Sequence, residues 1–218
     1  MPQLERETVI FDFVSTCDSS GSLPTSLEAF AELQGYEKQA LQALFPTLLA
    51  LEQAVYLSFF EQTLNLLERD TAYLEYGLQE RVLALYYTLF ELFGANRTYL
   101  ELSLKQGLGE WQNLPKLKGL KEAFGHHVRQ LFEPTLQPLL GLFKPLQTQA
   151  LSEAAWLQFL SLLGFWLRDR SPDRGRSDML IEKSVAASLE IWSALNWNHT
   201  PDLLRFWIEE LLPKQEKK

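Results

Sequence analysis

Thr25-Ser26-Leu27-Glu28-Ala29-Phe30-Ala31-Glu32-Leu33-Gln34-Gly35-Tyr36-Glu37-Lys38-Gln39-Ala40-Leu41-Gln42-Ala43-Leu44-Phe45-Pro46 carries the pattern that decides the fold. Thr25 to Glu28 has the spacing of a capping box, in which a hydroxyl and a carboxylate three residues apart satisfy amides at a helix start. Gly35 suits the left-handed conformation that ends a helix. Glu37 to Leu44 then supplies a second short helix, and Phe45-Pro46 stops it.

Upstream, Leu4 to Ser15 places Val9, Ile10, Phe13 and Val14 on one side of a first helix, and Asp18 to Pro24, rich in Ser and Gly, reads as a loop. Downstream, the apolar period continues from Leu48 to about Leu67. Leu78 to Phe93 is apolar on more than one face, as a helix in the middle of a domain must be. Further helices are expected over Asn96 to Lys105 and Pro115 to Phe132, with Pro134, Pro138 and Pro145 interrupting any helix that continues from there. Stripes over Ser152 to Arg168 and Ser177 to Asn196 flank the polar segment Arg168 to Arg176, read as a loop. Thr200-Pro201-Asp202 starts a last helix to Leu212. The class is all-α: a three-helix head over 1–46 and a body of six or seven helices over 47–218, with no internal repeat or low-complexity linker between them.

With 218 residues, 46% of them hydrophobic, the chain can bury a substantial core. Its formal charge of −8 opposes non-specific attraction to nucleic acid or anionic membrane. Residues 1–46 hold seven acids (Glu5, Glu7, Asp12, Asp18, Glu28, Glu32, Glu37) against Arg6 and Lys38, a balance of 2 − 7 = −5. A single cysteine, Cys17, allows no internal disulfide and fits a reducing compartment. Glu5, Arg6 and Glu7 stand where a secretory signal needs a basic and then an apolar region. Uninterrupted apolar stretches such as Leu162 to Leu167 fall short of the roughly 20 residues that cross a bilayer. The expectation is a cytoplasmic protein without membrane insertion.

Three short helices, a Phe-Pro junction and a longer helical body resemble the TetR family of transcriptional regulators. Members commonly read Thr-Ser-Val-Arg-Asp-Ile-Ala-Glu-Arg-Ala-Gly-Val and then Ser-Lys-Gly-Thr-Leu-Tyr-His-Tyr-Phe-Pro across the segment that is Thr25 to Pro46 here, with no gap needed. Trp166 to Ser171 and Ile181 to Val185 also look like a subset of these proteins. The resemblance implies a helix-turn-helix that binds DNA, a homodimer, and an apolar small-molecule effector or lipid held in the body. The chain departs where the family offers Arg, Tyr or Lys to phosphates and bases: Glu28, Leu33, Gln42, Leu44 and Leu48 stand there. DNA contact would then fall to Thr25, Tyr36, Lys38, Gln39 and Gln42, with Gln39 and Gln42 able to read adenine edges. The other reading makes these side chains the solvated face of a small helical subdomain, in a protein that kept the fold and holds an apolar ligand or a protein partner.

Aromatic residues cluster in the later helices, and the resemblance makes Tyr86, Phe90, Phe93, Tyr99, Trp111, Phe124 and Phe159 candidates for a ligand cavity, against the simpler role of core. By helix order, Trp156, Leu160, Leu163, Ile181, Val185, Leu189 and Trp192 correspond to the family's four-helix dimer seam, although the same residues would also pack inside one subunit. Catalytic signals are thin. His126 and His127 are adjacent, so on a helix they point about 100° apart and cannot chelate one metal. Cys17 has no basic neighbour, and Glu52, Glu61, Glu68 and Glu75 read as a solvated helix edge. Neither enzyme chemistry nor a cofactor or metal is expected.

Overall fold

The computed structural model describes residues 4–104, 114–135 and 144–195, and among these the secondary structure is helical, without a strand. The head comprises α1 (Arg6–Ser20), α2 (Leu27–Gln34) and α3 (Lys38–Leu44). The body comprises α4 (Leu48–Arg69), α5 (Leu78–Ala95), α6 (Arg97–Ser103), α7 (Lys118–Phe132), α8 (Lys144–Arg168) and α9 (Gly175–Leu195). Trp111 and the helix expected from Pro201 lie outside the described residues.

The first helix runs further than its apolar stripe suggests. Asp18 to Ser20 are helical, and Gly21, at φ 63°, ends α1 by returning its N–H to the Cys17 carbonyl. The cap of α2 is Ser26 and not Thr25. Ser26 has the extended backbone of a cap (φ −154°, ψ 166°) and its hydroxyl accepts the Ala29 N–H at 3.1 Å, whereas Thr25 sits one residue too early. Gly35 is left-handed as expected, with φ 71°. Thr47 caps α4 by accepting from the Ala50 N–H at 3.1 Å. Two body boundaries also move. Leu114–Leu117 is a 3-10 turn leading into α7, and α8 starts at Lys144, with Pro145 in its first turn, where a missing N–H costs nothing.

Phe13 of α1, Phe30 of α2, Leu41 of α3 and Phe45 are fully buried and close the head, with the Phe13 and Phe30 rings edge to face at 5.1 Å. That core does not stop at the junction. Phe13 also meets Tyr99 of α6 at 6.0 Å, and Tyr99 meets Tyr56 and Phe59 of α4 at 5.8 and 6.3 Å. Beyond it, Phe90, Phe93, Phe124, Phe159 and Trp166 form a linked set of rings 5.3–6.4 Å apart, drawn from α5, α7 and α8. Around this stack α4 packs on α5 and α7, α7 on α8, and α9 on α5 and α8.

Thr148–Arg168 of α8 is long and apolar enough to cross a membrane by length and composition, more than the broken apolar runs of the sequence suggest. Here Trp156, Phe159, Leu162, Leu163 and Trp166 spend that apolarity inside the protein core.

Truncating the shared core should therefore unfold head and body together. Phe13→Ala is expected to cost about 3–5 kcal/mol and to leave a single urea transition by both circular dichroism and tryptophan fluorescence. His127 of α7 supplies a pH test. Burial, then the neighbouring His126, lowers its imidazole from 6.5 to about 4, and its Nε2 has no hydrogen-bond partner among the described residues. Between pH 6.5 and 4 the unfolded chain binds the proton that the folded chain refuses, so stability falls as pH falls through that window. His127→Gln should remove about 2 kcal/mol of the acid loss, read as a smaller difference between urea midpoints at pH 7 and pH 4.5.

Candidate functional site

The head presents its expected contact residues in mixed states. Thr25 is exposed just before α2, and Gln39 is exposed on α3. Lys38 Nζ is paired with Glu32 Oε1 at 2.7 Å, and Gln42 Nε2 donates to Glu28 Oε1 at 3.3 Å, so carboxylates of α2 hold two of the polar groups of α3. Tyr36 is half-buried. Its ring lies against Phe30, its hydroxyl donates to the Asp12 carboxylate, and burial together with Asp12 pushes its pKa up to about 12. The guanidinium of Arg6, the other base of the head, stacks on Phe45 at 4.6 Å.

The body holds a cavity of about 500 Å³ between α5, α7, α8 and α9. Val82, Leu85 and Tyr86 line it from α5, and Phe124, Val128 and Phe132 from α7. Leu151, Ala155 and Gln158 of α8 and Ser184, Ser188 and Trp192 of α9 complete most of the wall. Polar groups converge at one point. Gln158 Nε2 donates to the Ser184 carbonyl at 2.9 Å and the Ser188 hydroxyl at 3.2 Å, while its Oε1 accepts from the Tyr86 hydroxyl at 3.4 Å. Burial raises the Tyr86 pKa, so that hydroxyl stays a neutral donor, and among the described residues no lining side chain is charged. A second groove of about 740 Å³ runs between α1 and α4, but Arg6, Glu7, Asp18 and Glu61 give it mixed charge.

Of the aromatic candidates, Tyr86 and Phe124 line the cavity. Phe90, Phe93 and Phe159 lie in the ring stack, and Tyr99 lies at the joint with the head. The polar focus at Gln158 escaped the sequence reading. Its one trace there is an amide set between Trp156 and Phe159 in an otherwise apolar stripe. Among the seam candidates, Trp156, Leu163, Ile181 and Val185 are buried within the one chain, and Leu160, Leu189 and Trp192 pack partly against its core. Among the described residues of α8 and α9, the large apolar side chains exposed are Leu157, Met179 and Ile191.

Two further groups correct or complete the sequence expectation. Glu52 does not lie on a solvated edge. It is 6% exposed, with Oε1 at 2.8 Å from Lys116 Nζ and 3.2 Å from the Ser103 hydroxyl, because α4 crosses α6 and the turn before α7 at that point. Lys116 also donates to the Ser103 carbonyl at 2.9 Å. Cys17 is buried, and burial, then Glu52 and Asp18, pushes its thiol up to about 12, which makes it a poor nucleophile. Among the described residues no three His, Cys, Asp or Glu side chains gather as metal ligands would.

A tri-helical head sharing its core with a cavity-bearing body of longer helices is the architecture of a helical regulator. Residues 81–206, beginning in the first turn of α5, match the family described as "Tetracyclin repressor-like, C-terminal domain", and the chain belongs to the TetR family. A search of proteins with curated functions gives no match.

The Glu52–Lys116 pair has a measurable signature. Glu52→Ala strands a largely buried ammonium and should cost about 3 kcal/mol in urea denaturation, whereas Glu52→Leu with Lys116→Met should recover most of that loss.

Proposed function

We propose that this chain is a ligand-responsive transcriptional regulator that works as a homodimer. The head contacts DNA, and the cavity takes an uncharged, largely apolar molecule with one hydrogen-bonding group. The observation that carries this reading is the cavity itself. Its volume of about 500 Å³ suits a small organic ligand. Among the described residues its wall offers no counter-charge, so an ionic ligand would bear an uncompensated burial cost there. A hydroxyl or carbonyl placed at Gln158 would exchange hydrogen bonds with Tyr86 and Ser188. Effector binding would favour one packing of α7 against α4, and α4 joins the head both at Thr47 and through Tyr56, Phe59 and Tyr99. Leu157, Met179 and Ile191 supply apolar surface for a seam formed by α8 and α9 of two copies. Such a regulator works in a reducing cytoplasm, and its function calls for no catalysis.

On the DNA side, Gln39 and Gln42 are assigned to base edges and Thr25 and Lys38 to phosphates. Glu28 and Glu32 occupy Gln42 and Lys38 in the free head, so binding exchanges contacts instead of adding them. That same observation, with the −5 balance of residues 1–46, favours a second reading, in which the fold persists as a carrier of an apolar ligand or a partner-binding module without DNA.

Mobility shifts at low salt, using duplexes that tile the DNA beside its own coding region, separate the two. The regulator reading expects a preferred duplex whose affinity falls about tenfold in Gln42→Ala, and a ligand response abolished by Ala155→Phe, which fills the cavity. Absence of any sequence preference rejects it, and a bound apolar molecule seen by native mass spectrometry then establishes the carrier.

A further inference from the structure

The turn between α8 and α9 departs from the rest of this acidic chain. Within 168–176 stand Arg168, Arg170, Arg174 and Arg176, and Arg97 of α6 joins them in space. Arg97 and Arg174 both lie over the ring of Trp166, with their guanidinium carbons 5.1 and 4.6 Å from its centroid. Two like charges on one indole repel each other unless something between them is negative. Glu101 is already divided between Arg97 at 2.6 Å and Arg170 at 3.6 Å. Both oxygens of Asp169 are engaged by the turn and the start of α9: Oδ1 accepts from the Ser171 N–H in the turn, and Oδ2 from the N–H and hydroxyl of Ser177 in α9. No carboxylate lies within ion-pair distance of Arg174 among the described residues.

The backbone and its neighbours hold Arg174 in this position. Asp173 and Arg174 both adopt left-handed φ, 49° and 56°, which non-glycine residues do only under constraint from their surroundings. A Cβ on residue 94 would come within 2.9 Å of Arg174 Nη1, so Gly94 leaves the room that the guanidinium occupies. In front of Arg97, Arg170 and Arg174 opens a cleft of about 500 Å³, lined also by Ser171 and by Asp169, whose oxygens are already engaged, with the exposed Asp173 on its rim.

We propose that this cleft is an oxyanion site, taking a phosphoryl group between the guanidiniums of Arg97, Arg170 and Arg174. Planar guanidinium forks match such a group, and an incoming dianion would relieve the repulsion across Trp166. The cleft is distinct from the apolar cavity and does not depend on what that cavity holds. It lies at the start of α6, the helix on which α1 of the head packs. The phosphoryl group therefore comes either from a DNA backbone or from a free phosphorylated compound.

Calorimetric titration of the full chain with inorganic phosphate at low ionic strength tests the site. Saturable binding, one phosphate per chain, is expected, weakened about tenfold or more by Arg174→Gln. No saturable heat, or equal affinity in the variant, overturns the proposal. If Arg174→Gln fails to fold, Arg170→Gln at a side chain 77% exposed decides by the same criterion. A random-sequence duplex then identifies the source. A slope of log affinity against log salt that falls by about one in Arg170→Gln assigns the cleft to the DNA backbone. An unchanged slope, with phosphate affinity lost, assigns it to a free compound.

Discussion

The ring of Tyr99 stands where α1, α4 and α6 meet, and the relation of head to body depends on it. Its partners, Phe13, Tyr56 and Phe59, come from both sides of the Phe45-Pro46 junction, so the turn that separates the two parts along the chain does not separate them in space. Close-packed aromatic contacts do not deform continuously, and a shift of α4 or α6 must either carry α1 with it or open a void. Beside this joint the Glu52, Ser103 and Lys116 cluster adds directional contacts among α4, α6 and the turn before α7. Apolar rings supply the adhesion, and the buried ion pair restricts how the helices can slide.

Charge is distributed with similar economy. The head is acidic and engages three of its donors internally, through Glu32 to Lys38, Glu28 to Gln42 and Asp12 to Tyr36. The described wall of the main cavity carries no charged side chain, and arginines gather at the α8–α9 turn. The densest gathering of cationic side chains among the described residues therefore lies in the body and not in the head.

Much of the fold was legible in the sequence because burial follows helical period closely here. The run from Leu78 to Phe93, apolar on several faces, is α5 at the centre of the body, and Gly35 bends the chain as its lack of a side chain allows. Boundaries were less legible where neighbouring residues compete for one role. Thr25 and Ser26 can both cap, and only backbone geometry chooses between them. Pro145 reads as an interruption until it is seen to lie in the first turn, where no N–H is needed. The site was less visible still. Glu52 and Lys116 are 64 positions apart, so no local pattern reveals their pairing. Helices α8 and α9 are apolar on more than one side, which leaves period alone unable to say whether Leu163 or Leu157 faces outward.

The apolarity of α8 also bears on how the protein is made. As an extended nascent segment, Thr148–Arg168 offers targeting machinery and other unfolded chains the same greasy surface that a membrane span would. Its neighbours α5 and α7 precede it in the chain, so much of the surface that buries it leaves the ribosome first. Synthesis order thus puts part of the cover for this apolar segment ahead of it in the chain. A circular permutant that began near α8 would reverse that order.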